Sequence, residues 1–162
     1  MATIADLLSS SSKENLMSTI KRGDVVRMRL TEEEGITPKN EGDSSRNKYF
    51  IVLGKTADDQ IIGFVVINTN INVNLSEVLK RLHYPLTAEK YPFLEKTRYV
   101  NCGTLKQISL SNFSNRHCSI FGTIDEGDLQ LITNALASSP IESKKKLRKF
   151  GLLVGNKKSR GE

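Results

Sequence analysis

Apolar and polar residues alternate in "GDVVRMRL", residues 23–30. In an extended chain Val26, Met28 and Leu30 share one face while Val25, Arg27 and Arg29 share the other, a period of two that predicts a strand. "KYFIVLGK" and "QIIGFVVIN" are nearly continuous apolar runs of strand length, and their link through "TADD" predicts a hairpin. "RYVNCGTLKQIS" and "CSIFGTI" add two further short strands. The period lengthens in "DEGDLQLITNALASS", where Leu129, Ile132 and Leu136 form a helical stripe behind Asp125 as cap. "LSEVLKRLHY" fits a shorter helix with Val78, Leu79 and Leu82 on one side, and Ser139-Pro140 can start another that Gly151 stops. Residues 1–21 read as an N-terminal helical extension, with Thr3 and Ser12 as caps. Residues 22–138 read as a mainly β domain closed by a C-terminal helix, and 139–162 as a short helix with a basic tail. A polar loop from Thr31 to Asn47 is long enough for a binding role.

Composition narrows the class. With 38% hydrophobic and 26% charged residues, 162 residues can build one domain with a core. No apolar run approaches the roughly 18–20 residues of a membrane span, and the N-terminus lacks the basic-then-apolar order of a secretory signal. Two cysteines make no disulfide framework, so the expected setting is a reducing cytoplasm. The net charge of +6 is concentrated near the C-terminus, in Lys144, Lys145, Lys146, Arg148, Lys149, Lys157, Lys158 and Arg160. Without those eight, 16 of the 24 basic residues face 18 acidic ones, so the rest of the chain is slightly negative. Such a tail attracts nucleic acid or an acidic partner, or serves only as a solubilising terminus.

The segment "VINTNINVNLSE", residues 65–76, sets Asn68, Asn70, Asn72 and Asn74 at alternate positions. Amides offer donors and acceptors together, a chemistry suited to the exposed edges of unstacked bases. The local alternative is strand-end and turn use for Asn68, Asn70 and Asn72, with Asn74 capping the helix from Leu75. Cys102, Cys118, His83 and His117 suffice in number for zinc, but their spacing fits no finger or knuckle. No metal and no cofactor is expected. "LGKTADDQ" contains GKT without the full phosphate loop.

Several strings, in order, resemble the MazF/PemK toxin family. These are Gly23-Asp24-Val25-Val26, the loop "GDSSRNKYFIVL" with Asp43 five residues before Lys48, "VINTN", "YPF", "CGTLKQIS" and "GTIDEGDLQLI". The resemblance covers roughly residues 22–138. It implies an SH3-like small barrel of the MazF/PemK/Kid kind, here with added N-terminal helices and an inserted helix. It implies also metal-independent cleavage of single-stranded RNA, a homodimer, and an antitoxin protein as partner. Two departures stand out: Lys48-Tyr49 replaces the family's Arg-Pro, and Gly103 stands where many members have aspartate.

Metal-free RNA cleavage requires a base for the 2′-hydroxyl, cations for the developing phosphorane charge and an acid for the leaving oxygen. On the resemblance, Asp43 (or Glu41) is the candidate base. Arg46 and Lys48 are the phosphate clamp, and Thr69 orients the phosphate. Asn68, Asn70, Asn101, Thr104 and Lys106 are the candidate RNA contacts. Arginine is too basic to donate a proton at neutral pH, which leaves the acid the least defined role. The alternatives are a catalytically altered relative that binds RNA or DNA without cleaving it, or a protein-interaction module on the same fold. In those cases the same charges merely blunt a strand edge and the acids merely face water.

Overall fold

The computed structural model describes residues 20–34, 36, 45–58, 60–115 and 118–153. The expected N-terminal helices and most of the polar loop, with Glu41 and Asp43, lie outside them.

The chain is mainly β. Its strands are β1 (Asp24–Thr31), β2 (Ser45–Lys55), β3 (Ile61–Asn68), β4 (His83–Leu86), β5 (Arg98–Asn101), β6 (Lys106–Ser109) and β7 (Cys118–Thr123). They form one seven-stranded sheet in the order β4-β5-β3-β2-β1-β7. Every pairing is antiparallel. β5 and β6 share one edge of β3: β6 lies beside Ile61–Phe64, and β5 beside Ile67 and Asn68 at the other end. The helices are α1 (Glu77–Arg81), α2 (Leu110–Asn115), α3 (Glu126–Ala137) and α4 (Lys144–Lys149).

The alternation in β1–β3 sorts side chains onto two faces. Val26, Met28, Leu30, Phe50, Val52, Phe64 and Val66 join one apolar cluster. Val25, Ile51, Leu53, Val65 and Ile67 join another, with Leu129, Ile132 and Leu136 of α3. Strands buried on both faces read as continuous apolar runs, which is why β2 and β3 look as they do in the sequence. Phe50 and Phe64 are fully buried with ring centroids 4.3 Å apart. Such burial contributes about 1.5–3 kcal/mol per side chain. A sheet of this size with cores on both faces fits a small barrel-like β fold.

Glycine makes room for the chain's last described helix. A Cβ on Gly54 would sit 2.5 Å from the Phe150 carbonyl oxygen, and one on Gly63 would sit 2.8 Å from the Phe150 ring. The two glycines are cross-strand partners, so together they form a seat for Phe150, which is buried beside Leu147 in the α3-side core.

The structure corrects several predicted boundaries. "LSEVLKRLHY" is helical only from Glu77 to Arg81, and His83-Tyr84 begin β4, a strand the periodicity did not reveal. Ser76 caps α1, its Oγ accepting from Leu79 N at 3.3 Å, so Asn74 is not the cap. "RYVNCGTLKQIS" is two strands, because Cys102-Gly103 turn between β5 and β6. Pro140 sits in a turn, and Ser143 caps α4 instead. Gly151, with φ +74°, follows α4 as expected.

Candidate nucleic-acid interface

The end of the sheet where β3 stops builds a cleft of about 570 Å³. Tyr49 pairs with Ile67, so the preceding Lys48 stands opposite Asn68, and Lys48 Nζ donates to Asn68 Oδ1 at 2.5 Å. After Asn68 the chain bends through Thr69 and Asn70. It then turns, with Asn72 Oδ1 accepting from Asn74 N at 2.9 Å and Asn72 O accepting from Leu75 N at 3.2 Å. The amides are therefore not a strand face beyond Asn68. Even so, Asn68, Asn70 and Asn72 all line the cleft, and Asn74 does not. Arg46 and Lys48 of β2 supply its charge, and Thr69 supplies a hydroxyl.

The opposite wall comes from the inserted segment. His83, first residue of β4, pairs with Asn101 of β5, and both line the cleft. His83 Nδ1 lies 2.9 Å from Leu79 O. A carbonyl only accepts, so Nδ1 carries the hydrogen and neutral His83 holds its lone pair on Nε2. Asn101 Oδ1 accepts from Gly103 N at 2.9 Å, closing the turn into β6.

A second hollow of about 280 Å³ shares Arg46, Lys48 and Thr69 with the cleft and adds Arg27, Asn47, Tyr49, Ile67, Glu95 and Arg98. The Arg98 guanidinium is 4.7 Å from the Tyr49 ring centroid and that of Arg27 is 5.7 Å away. Phe121 meets the same ring edge-on at 5.3 Å. Arg98 Nε donates to Leu94 O at 2.9 Å, which fixes its place. Burial, then the neighbouring charges of Arg46 and Arg98, lowers the Lys48 ammonium from the usual lysine value to about 8. A cation so placed is a usable proton donor near neutral pH, which an arginine there would not be.

The structure therefore brings Arg46, Lys48, Asn68, Thr69, Asn70 and Asn101 together. It does not bring Thr104 or Lys106 to the cleft. β6 runs beside the far end of β3, and Lys106 is set among C-terminal groups instead. There burial, then the Lys146 charge, lowers the pKa of Lys106, and Glu142 partly offsets them. Sequence reasoning missed His83 as a cleft residue, because the predicted helix ran through it. It missed the Arg27–Tyr49–Arg98 stack too, whose members lie on three strands and meet only through sheet register. Among the described residues no three His, Cys, Asp or Glu side chains are grouped to hold a metal ion. In comparisons with known proteins, neither a family model nor a curated protein matches the chain.

Proposed function

We propose that this chain is a metal-independent endoribonuclease of the toxin–antitoxin type, cleaving single-stranded RNA on an SH3-like barrel of the MazF/PemK kind. The observation that carries the reading is the meeting of two cations, four amides and a threonine hydroxyl in one cleft, supplied by residues far apart in sequence. Arg46 and Lys48 suit a phosphate, and Thr69 can orient it. Asn68 and Asn70 suit base edges, which only unstacked, single-stranded nucleotides present freely. Metal independence, a homodimer, a cytoplasmic setting and control by an antitoxin follow the resemblance of residues 22–138 to that family. The Lys48-Tyr49 departure is consistent with cleavage, since a lysine of lowered pKa can both neutralise phosphate and release a proton.

The Tyr49 ring with its two guanidiniums favours a second reading, RNA binding without cleavage, because a stacking platform serves binding alone. Incubating the purified protein with a long single-stranded RNA in EDTA separates the two. Discrete fragments ending in 2′,3′-cyclic phosphate, absent with Lys48→Ala, support the nuclease. Intact RNA that is nonetheless bound supports the second reading, and no binding removes both.

A further inference from the structure

We infer that His83 is the general base of this cleft, taking the 2′-hydroxyl proton of a bound ribonucleotide on Nε2 while Lys48 protonates the leaving oxygen from the opposite wall. The inference rests on the ribonuclease reading and assigns its proton transfers.

The geometry supplies three reasons. First, the ring orientation is fixed from behind: Nδ1–H donates to Leu79 O at 2.9 Å, the last turn of α1 serving as orienting group. A base held by a second group is the arrangement acid–base catalysis needs. Second, the lone pair this leaves on Nε2 has no hydrogen-bond partner among the described residues, and the residue lines the cleft. Third, no acidic side chain lines the cleft among the described residues. His83 is thus the one described lining residue able to accept a proton at neutral pH without first losing one.

The charged neighbours of the ring come from β2 and α1. Arg46 and Lys48 line the same cleft. On α1, Lys80 is paired with Glu77 at 3.5 Å and Arg81 is exposed. β5 presents the neutral Asn101 beside His83.

The step balances within the site. His83 Nε2 removes the proton from the 2′-hydroxyl, and the 2′-oxygen attacks phosphorus. The bond from phosphorus to the 5′-oxygen of the next nucleotide breaks. That oxygen takes a proton from the Lys48 ammonium. The products are a 2′,3′-cyclic phosphate and a 5′-hydroxyl, with His83 protonated and Lys48 neutral until both exchange protons with water. Arg46 keeps its charge throughout and stabilises the phosphorane.

The test compares wild type with His83→Asn, His83→Gln and His83→Ala in single-turnover RNA cleavage over a pH series, with RNA affinity and thermal unfolding measured alongside. Asparagine can keep the donation to Leu79 O while removing the base, and glutamine keeps a polar group at the Nε2 position. The inference expects cleavage to fall about 10²–10⁴-fold in both, with affinity changed no more than a few-fold. The acid limb of the pH profile should vanish, and added imidazole should restore part of the activity of His83→Ala. Cleavage within a few-fold of wild type in either polar variant overturns the role of His83 and leaves the ribonuclease standing. Loss of cleavage matched by equal loss of affinity, without imidazole rescue, also overturns it and makes His83 a positioning residue. A folded wild type that binds RNA and does not cut it overturns both proposals.

Discussion

Lysine and arginine carry the same charge at position 48, but only lysine can give up a proton near neutrality when it is desolvated. Lys48 sits beside Arg46 and Arg98, and its pKa of about 8 records burial and their repulsion. On the proposed reaction, rate should therefore fall as pH rises through about 8, because the acid is lost. Lys48→Arg tests this apart from charge. Affinity for single-stranded RNA should stay within a few-fold, cleavage should drop by about 10²-fold or more, and the alkaline limb should disappear. Equal cleavage by the arginine variant would make position 48 a phosphate clamp only. At this scale the sequence was informative where spacing survives folding. Arg46, Lys48, Asn68, Thr69 and Asn70 flank one hairpin, and their alternation or adjacency carries directly into the cleft. His83 was not legible, since a helical period through "LSEVLKRL" runs into it without a breaker, and the strand that claims it is set by pairing with Asn101.

The inserted segment that delivers His83 is fastened at its other end to α3. Tyr84 Oη donates to Asp128 Oδ1 at 2.5 Å, and Tyr91 Oη donates to Asp128 Oδ2. Lys90 Nζ lies 2.9 Å from Asp128 Oδ2 and 2.6 Å from Asp125 Oδ2 of the α3 cap. Burial alone would raise the Asp128 pKa, but hydrogen bonds from Tyr84, Tyr91 and Lys90 outweigh it and hold the carboxyl below its usual value. The native state thus holds this proton less tightly than the unfolded chain does. Its contribution is present above the unfolded carboxyl range and is lost as pH falls through the lowered folded value. Asp128→Asn offers only one acceptor oxygen and should leave a tyrosine hydroxyl unpaired, at about 1–3 kcal/mol. Thermal unfolding should show a lower midpoint for the variant at neutral pH and a shallower decline on acidification below about pH 4. Equal acid sensitivity in the two proteins would place the titrating group elsewhere. Of the elements, α3 was fully legible, because Asp125, Leu129, Ile132 and Leu136 carry both cap and stripe locally. The short strand β4 was not, nor was the break that divides β5 from β6, since four residues hold no usable period and owe their conformation to partners.

Charge over the whole molecule is sorted by pairing rather than by count. Outside the cleft many acids already have cations: Glu126 faces Arg22 at 3.4 Å, Glu142 faces Lys146 at 3.6 Å, and Asp125 and Asp128 share Lys90. Arg27, Arg46, Lys48 and Arg98 instead stand together around one groove, where Glu95, 3.8 Å from Arg98, is the one carboxylate among the described lining residues, so cations outnumber acids there. If Arg27, Arg46 and Lys48 neutralise phosphates, log affinity for single-stranded RNA should fall with log salt at a slope of about −2. The C-terminal cations make a rival account, in which binding follows the tail and the groove contributes little. Fluorescence anisotropy on labelled RNA across a salt series distinguishes them. Arg46→Ala should reduce the slope by about 0.7, whereas truncation after Leu153, which removes Lys157, Lys158 and Arg160, should leave it nearly unchanged. A truncation that abolished most of the slope would move the nucleic-acid interface from the groove to the tail, and with it the reason for two cations and four amides to meet where β3 ends.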